Sequence, residues 1–168
     1  MAARASRAAQ PGMAKKPAQL PTIENRKARF EYAIEDTLEV GIVLRGSEIK
    51  VVRDARVSLG EGWVQPKANP PSLLLHNVHI GEYKPAGTMG HKPTRPRELL
   101  AKAVEIRRMV KAMETKGCTI VPLKLYFKGA WAKLLIGIAK GKKTHDKRQA
   151  IKDRDTKRDL QRAMSKRM

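Results

Sequence analysis

Aromatic residues make up only 4% of this 168-residue chain: two Phe, two Trp and three Tyr. So small a supply argues against reading nucleic acid by stacking base after base on a sheet, and Trp63 and Trp131 read as core or rim. The single cysteine, Cys118, excludes an internal disulfide and reads as a buried, reduced thiol. No apolar run approaches the ~18 to 20 residues of a membrane helix, so no membrane partner is expected. Acidic side chains are also scarce, at 16 Asp and Glu against 36 Lys and Arg, for a formal net charge of +20. An excess of that size, concentrated toward both ends of the chain, is expected of a protein that binds a polyanion, nucleic acid above all.

Motifs for catalysis and metal binding are missing as well. His76 and His79 are three apart, which on a strand turns them to opposite faces, and Cys118 is the only thiol available to join them, so no metal site is expected. His91 sits in a loop with no evident partner. Glu31, Glu35 and Glu39 would share one face of a strand, but no metal-ligand set, nucleophile motif or serine triad accompanies them, and a solvated face is the simpler reading. The segment Gly141-Lys142-Lys143-Thr144 echoes a phosphate loop. Only three residues separate Gly137 from Gly141, however, and Lys143 stands where the hydroxyl belongs, so nucleotide hydrolysis is not expected. The reading is therefore non-enzymatic, with no cofactor.

What is present is a small β-rich body with charged ends. Pro11, Gly12, Pro17 and Pro21 keep residues 1–22 irregular, a disordered basic extension. Residues 29–44 alternate with period two, through Phe30, Tyr32, Ile34, Leu38, Val40, Ile42 and Leu44, and read as a long strand bent near Asp36 or Gly41. A short helix over 48–53 follows, with Ser47 able to cap it. Residues 63–67 and 73–80 read as a hairpin around Asn69-Pro70-Pro71, and 119–127 and 131–139 as a second around Lys128-Gly129-Ala130. Between the hairpins, Thr94 and Pro96 look like the opening of a helix whose face is Leu99, Ala103, Ile106, Val110 and Met113, ended by Gly117. Five or six antiparallel strands with one long and one short helix predict a mainly β fold, a small closed barrel of OB type over residues 23–143.

The tail over 144–168 differs from this body. Residues 140–168 hold 12 Lys or Arg against 4 Asp. The tail lacks glycine and proline and favours helix by propensity, yet has almost no apolar face, so the expectation is disorder when free and a helix when bound to RNA. Lys140, Lys142 and Lys143 read as point charges for RNA phosphates. His145, at the hinge between body and tail, suits stacking on a base. With few aromatics available, recognition through shape and backbone points to a structured RNA.

Five collinear motifs then carry a resemblance. They are Asn25-Arg26-Lys27-Ala28-Arg29, Glu39-Val40-Gly41-Ile42-Val43-Leu44, Pro93-Thr94-Arg95-Pro96-Arg97-Glu98-Leu99-Leu100, Val121-Pro122-Leu123-Lys124-Leu125-Tyr126-Phe127, and the run from Gly137 to Arg148. Together they resemble the SsrA-binding protein, or small protein B, family over residues 23–155. The resemblance implies a monomeric, cytoplasmic adaptor that binds the tRNA-like domain of transfer-messenger RNA and takes it to stalled ribosomes, its tail entering the empty decoding centre and mRNA channel. It also implies that Asn25, Arg26, Lys27, Arg29, Tyr32, Glu39, Leu100, Lys133, Lys140, Lys142 and Lys143 bind that RNA, and that His145, Asp146, Lys147 and Arg148 anchor the tail. Phe30 and Lys92 depart from the family pattern, in which histidine and aspartate are usual. A ribosomal structural protein, or another OB-fold protein bound to ribosomal RNA, is the alternative class.

Overall fold

The computed structural model describes residues 20–142 together with Thr156, Arg162 and Met164. Within residues 20–142, nine strands and three α-helices follow in the order β1 (Ile23–Glu24), α1 (Arg26–Glu31), β2 (Tyr32–Ile42), α2 (Gly46–Arg53), β3 (Val57–Ser58), β4 (Trp63–Lys67), β5 (Ser72–His76), β6 (His79–Ile80), β7 (Arg97–Leu100), α3 (Ala103–Met113), β8 (Cys118–Lys128) and β9 (Trp131–Gly141). Seven strands form one antiparallel sheet in the order β1-β8-β9-β2-β7-β5-β4, and β3 pairs with β6 separately. The sheet curls so that β4 packs against β8 without a ladder between them, giving a barrel-like body rather than the closed ladder the strand count suggested.

The main core fills the inside of this curl, with Val40, Leu73, Leu75, Leu99, Ile120, Leu125, Leu134 and Ile136 from the strands, Val51 and Val52 from α2, and Ile106 and Met109 from α3. A smaller cluster, Ala28, Val121, Leu123 and Ala139 with Tyr32, Ile34 and Leu135 against it, lies on the outer face under α1. The period-two reading put Tyr32, Ile34, Leu38 and Val40 on one face. The structure splits them, because the β2–β9 register steps between Ile34 and Asp36 and leaves Glu35 as an extra residue. One inserted residue inverts the facing of what precedes it, so Tyr32 and Ile34 face out while Leu38 and Val40 face in. A matching step at Leu123 on β8 keeps the two long strands bent together. Gly137 makes room there, since a Cβ on it would lie 2.8 Å from Leu123 and 3.0 Å from Ile34.

Several expectations are corrected by tertiary contacts. Residues 26–31 form a helix capped by Asn25, so 29–31 are not the start of the strand and Glu31 does not share a strand face with Glu35 and Glu39. Residues 97–100 are strand rather than the first turn of a helix: β7 pairs with both β5 and β2, and α3 starts only at Ala103, where Glu105 accepts the Lys102 N–H at 2.9 Å. The sheet vacancy between β5 and β2 outweighs the helix-start chemistry of Thr94 and Pro96. The strand read through residues 73–80 breaks at Asn77, whose φ of 55° turns the chain toward β3. Ser47 does not cap α2, and its hydroxyl meets His91 instead.

Candidate RNA interface

The outer face of the β8–β9–β2 sheet brings together Glu39 and Lys133, with Leu100 beside them on β7. Glu39 pairs in register with Leu135, and Tyr126 with Lys133, so these four side chains share one face. The Tyr126 hydroxyl donates to Glu39 Oε2, while Lys128 Nζ and Lys133 Nζ lie 3.8 and 4.0 Å from Glu39 Oε1. Lys124 Nζ sits 5.8 Å above the Tyr126 ring. Three lysines thus stand about the Glu39 carboxylate and the phenol, and although Glu24 Oε1 lies 3.6 Å from Lys124 Nζ, the group keeps a net positive charge. The Tyr126 hydrogen bond, with the lysines adding to it and burial opposing it, holds the Glu39 carboxyl below its ordinary range, and the same bond pushes the Tyr126 hydroxyl up to about 12. Glu39 is therefore an anion that orders its cationic neighbours.

Beside this cluster the surface turns apolar. Gly41 pairs with Leu100 on one side and Lys133 on the other, and its missing side chain lets Leu100 lean across β2, 3.2 Å from where a Cβ would stand. Leu100 is 57% and Trp131 75% exposed, and with Val43 and Ala132 they line a shallow groove ending at Lys133. A groove with an exposed indole, a leucine and a lysine suits a nucleobase or ribose with its phosphate.

About 30 Å along β2 lies the second group. Asn25 is buried and fully committed to protein: its Oδ1 accepts from Ala28 N, and its Nδ2 donates to Leu59 O and Pro122 O at 2.9 Å each. Its place is to fix α1, whose Arg26, Lys27 and Arg29 are exposed. Lys27 meets Glu61 at 2.5 Å, which raises the lysine pKa chiefly through that hydrogen bond. Tyr32 is half-buried and lines a pocket with Arg29 and Lys142, whose ammonium reaches Arg29 O at 3.2 Å. Lys140 is exposed but pairs with Ala33 and Cys118, and so projects from the opposite face. Lys143, His145, Asp146, Lys147 and Arg148 lie outside the described residues.

Tyr126, Lys124, Lys128 and Trp131 are members that sequence reasoning missed. Period-two spacing between Lys124, Tyr126 and Lys128 was the available signal, but only pairing with β9 sets them opposite Glu39. Cys118 is half-buried with a free thiol rather than fully buried. His91 is buried, with Ser47 Oγ 2.9 Å from Nδ1 and Ile80 O 3.4 Å from Nε2, so it has partners where none were expected. Trp63 and His76 stack at 4.5 Å on the β4–β5 ladder. No group of three metal-ligating side chains occurs among the described residues, and no described helix is long and apolar enough to cross a membrane.

Comparison with known proteins follows the same lines. A family model described as "SmpB protein" matches residues 22–166. An "SsrA-binding protein" of Anaeromyxobacter sp. (strain Fw109-5) is 46% identical over 143 residues, covering 85% of this chain and 86% of the relative. One from Listeria welshimeri is 46% identical over 144 residues, covering 86% and 92%. Another, from Anaeromyxobacter dehalogenans, is 44% identical over 155 residues, covering 92% and 94%. A solved chain from "tmRNA-SmpB: a journey to the center of the bacterial ribosome" superposes with a TM-score of 0.64 at 38% identity, covering 78% of this chain and 94% of that one.

Proposed function

Because the chain belongs to the SmpB protein family, we propose that it is the RNA-binding adaptor of trans-translation: it binds the tRNA-like domain of transfer-messenger RNA and delivers it to stalled ribosomes. The observation that carries this reading is the outer face itself, where Glu39, Tyr126, Lys124, Lys128, Lys133, Leu100 and Trp131 form one cationic and apolar surface on a rigid sheet. Rigid placement matters because a folded RNA is recognised by the spacing of its phosphates and exposed bases.

Within residues 23–143, the RNA-binding body, we assign three roles. Lys133, Lys128, Lys142, Lys143 and the α1 cations Arg26, Lys27 and Arg29 neutralise phosphates. Leu100 and Trp131 pack on an unpaired base or ribose, and Tyr32 closes the far end of the face. Glu39 and Asn25 position these groups, Glu39 through Tyr126 and the lysines, Asn25 through the start of α1. Residues 144–168 act as the ribosome-directed tail: His145 stacks on a base of the decoding centre, and Asp146, Lys147 and Arg148 anchor the segment that follows in the mRNA channel. Residues 1–22 are a basic extension of the body. The protein works as a monomer in the cytoplasm, where stalled ribosomes are, and its part is binding and delivery rather than catalysis.

The test separates the two halves. Gel shift with a transcript of the tRNA-like domain measures the body, and peptide tagging in a reconstituted translation system measures delivery. Lys133→Ala is expected to weaken the gel shift, whereas His145→Ala is expected to leave it intact and reduce tagging. Failure of the unaltered protein to bind the transcript would sink the adaptor reading, and equal loss of RNA binding in both variants would sink the division between body and tail.

A further inference from the structure

The amino-terminal segment is a basic element that the sheet face leaves unexplained. Residues 1–19 lie outside the described residues, and their charge is read from the sequence: Arg4, Arg7, Lys15 and Lys16, with no Asp or Glu among them. The segment has no aromatic residue, and Met1 and Met13 are its only large apolar ones. Charge is therefore what it offers a partner.

The structure fixes where this segment joins the body. β1 runs antiparallel to β8, with Glu24 opposite Lys124 and Ile23 opposite Leu125, so the chain that precedes Ile23 comes from the Lys128 end of β8. The junction is pinned, because the Asn25 N–H donates to Leu123 O at 2.8 Å and the Asn25 side chain is buried. Leu20 and Thr22 are exposed. Lys128 closes β8, and the turn after it leads to Trp131 at the start of β9. Residues 1–19 are thus tethered at the end of the sheet where Lys128 and Lys133 flank Glu39 and where Trp131 stands exposed.

Four further cations tethered beside this lysine group are repelled by it, and the acids at this end do not offset them. Glu39 is shared among Tyr126, Lys128 and Lys133, and Glu24 lies 3.6 Å from Lys124. A polyanion lying across both sets of cations relieves the repulsion. Tethering also makes the second contact intramolecular once the first has formed, so it adds affinity without a second encounter.

We propose that residues 1–19 bind the phosphate backbone of the same transfer-messenger RNA that the outer face holds, beside the nucleotides that meet Lys128 and Trp131. This rests on the adaptor reading above, which supplies the RNA. From its junction the segment spans at most about 60 to 70 Å, which confines its contacts to the neighbourhood of that face. Spaced cations without aromatic side chains suit phosphates rather than base edges.

The full-length variant Arg4→Gln/Arg7→Gln/Lys15→Gln/Lys16→Gln removes the four charges and leaves every residue of the body in place. Against a transcript of the tRNA-like domain, its log–log salt slope is expected to become shallower by about 1 to 3 units, at 0.7 to 0.9 per lost phosphate contact. The charge-keeping swap Arg4→Lys/Arg7→Lys/Lys15→Arg/Lys16→Arg should keep the original slope. Position is tested with an iron chelate attached at Ala9→Cys or at Ala130→Cys, each in a Cys118→Ser background, and the two are expected to cut adjoining nucleotides of the transcript. An unchanged slope in the neutralised variant overturns the proposal, as does a slope lost in the charge-keeping swap. Cuts from Ala9→Cys that are absent, or that fall away from those of Ala130→Cys, overturn the shared position. Equal flattening on an unrelated RNA hairpin would mean a general attraction to RNA and overturn it too. Any of these results leaves the adaptor reading standing so long as the unaltered protein binds the transcript; if it does not, that reading falls and this proposal with it.

Discussion

Two carboxylates in this molecule are each surrounded by cations, with opposite consequences. Glu39 stands on the outer sheet face among Tyr126, Lys128 and Lys133, open to solvent. Glu48, on α2, is fully buried and accepts from Arg95 at 2.9 and 2.6 Å, from Arg97 at 2.9 Å, and from the Arg45 N–H at 2.7 Å. Arg97 is buried with it and spends its remaining donors on the carbonyls of Val78, Arg95 and Pro93. Burial presses the Glu48 carboxyl upward, but its bonds to Arg95 and Arg45 and the charge of Arg97 outweigh that and hold it below its ordinary range. Similar partners thus build an exposed cationic surface where water is present and a structural clamp where it is excluded. The clamp ties α2 to β7 and the loop before it, which sets Leu100 beside Gly41.

The largest effect is expected at the clamp. Glu48→Gln leaves two guanidinium groups without a counter-charge, one of them fully buried, and should cost about 3 to 5 kcal/mol of folding stability. That is a large share of the ~5 to 15 kcal/mol of an ordinary domain. Urea unfolding checks it, and a loss under 1 kcal/mol would mean the burial is relieved by water. Since the folded carboxyl is depressed, its contribution is present above the unfolded carboxylate pKa and is lost as pH falls through the folded value. An acid titration of unfolding should therefore flatten in Glu48→Gln.

Lys133→Ala comes next and acts on the other side of the comparison. Stability should hardly change, while affinity for the tRNA-like transcript drops on the order of tenfold, as for one lost hydrogen bond to a charged group. The salt slope should become shallower by at most about one unit. Glu39→Gln should also weaken binding, by releasing the lysines it orders, but without that flattening. Equal slopes changes in both would contradict the positioning role of Glu39.

The smallest effect is expected from Tyr126→Phe, a few-fold loss of RNA affinity by the same route, less than that of Lys133→Ala. Its partner bond has a separate signature. With the folded hydroxyl raised from 10.0 to about 12, the stability it contributes is present below pH ~10 and is lost as pH rises toward 12. Ultraviolet titration should show one tyrosine ionising last, and Glu39→Gln should bring it back toward its ordinary value. A titration identical in both proteins would remove the Tyr126–Glu39 bond from the account.

Much of this was legible in residue order, because alternation, turn chemistry and charge are local. The hairpin of β8 and β9, the short helix α2, and the cationic ends follow from patterns a few residues long. So does the interest of Lys140 and Lys142, although Lys133, Glu39 and Leu100 were reached only through resemblance to a family. What pairing alone could decide was the rest. Arg97 looked like a helix-start residue until the space between β5 and β2 made it strand and the Glu48 clamp buried it. Tyr32 and Leu38 looked like one face until the extra residue Glu35 turned them apart. Tyr126 and Trp131 carried no local mark of their place, because a side chain's neighbours across a sheet are set by register, and register depends on residues nearly a hundred positions away. Sequence by itself determined the kind of ligand, through an excess of positive charge that no fold can hide. Only the tertiary structure decided which cations stand together, because burial and strand register, not composition, fix the distance between charges.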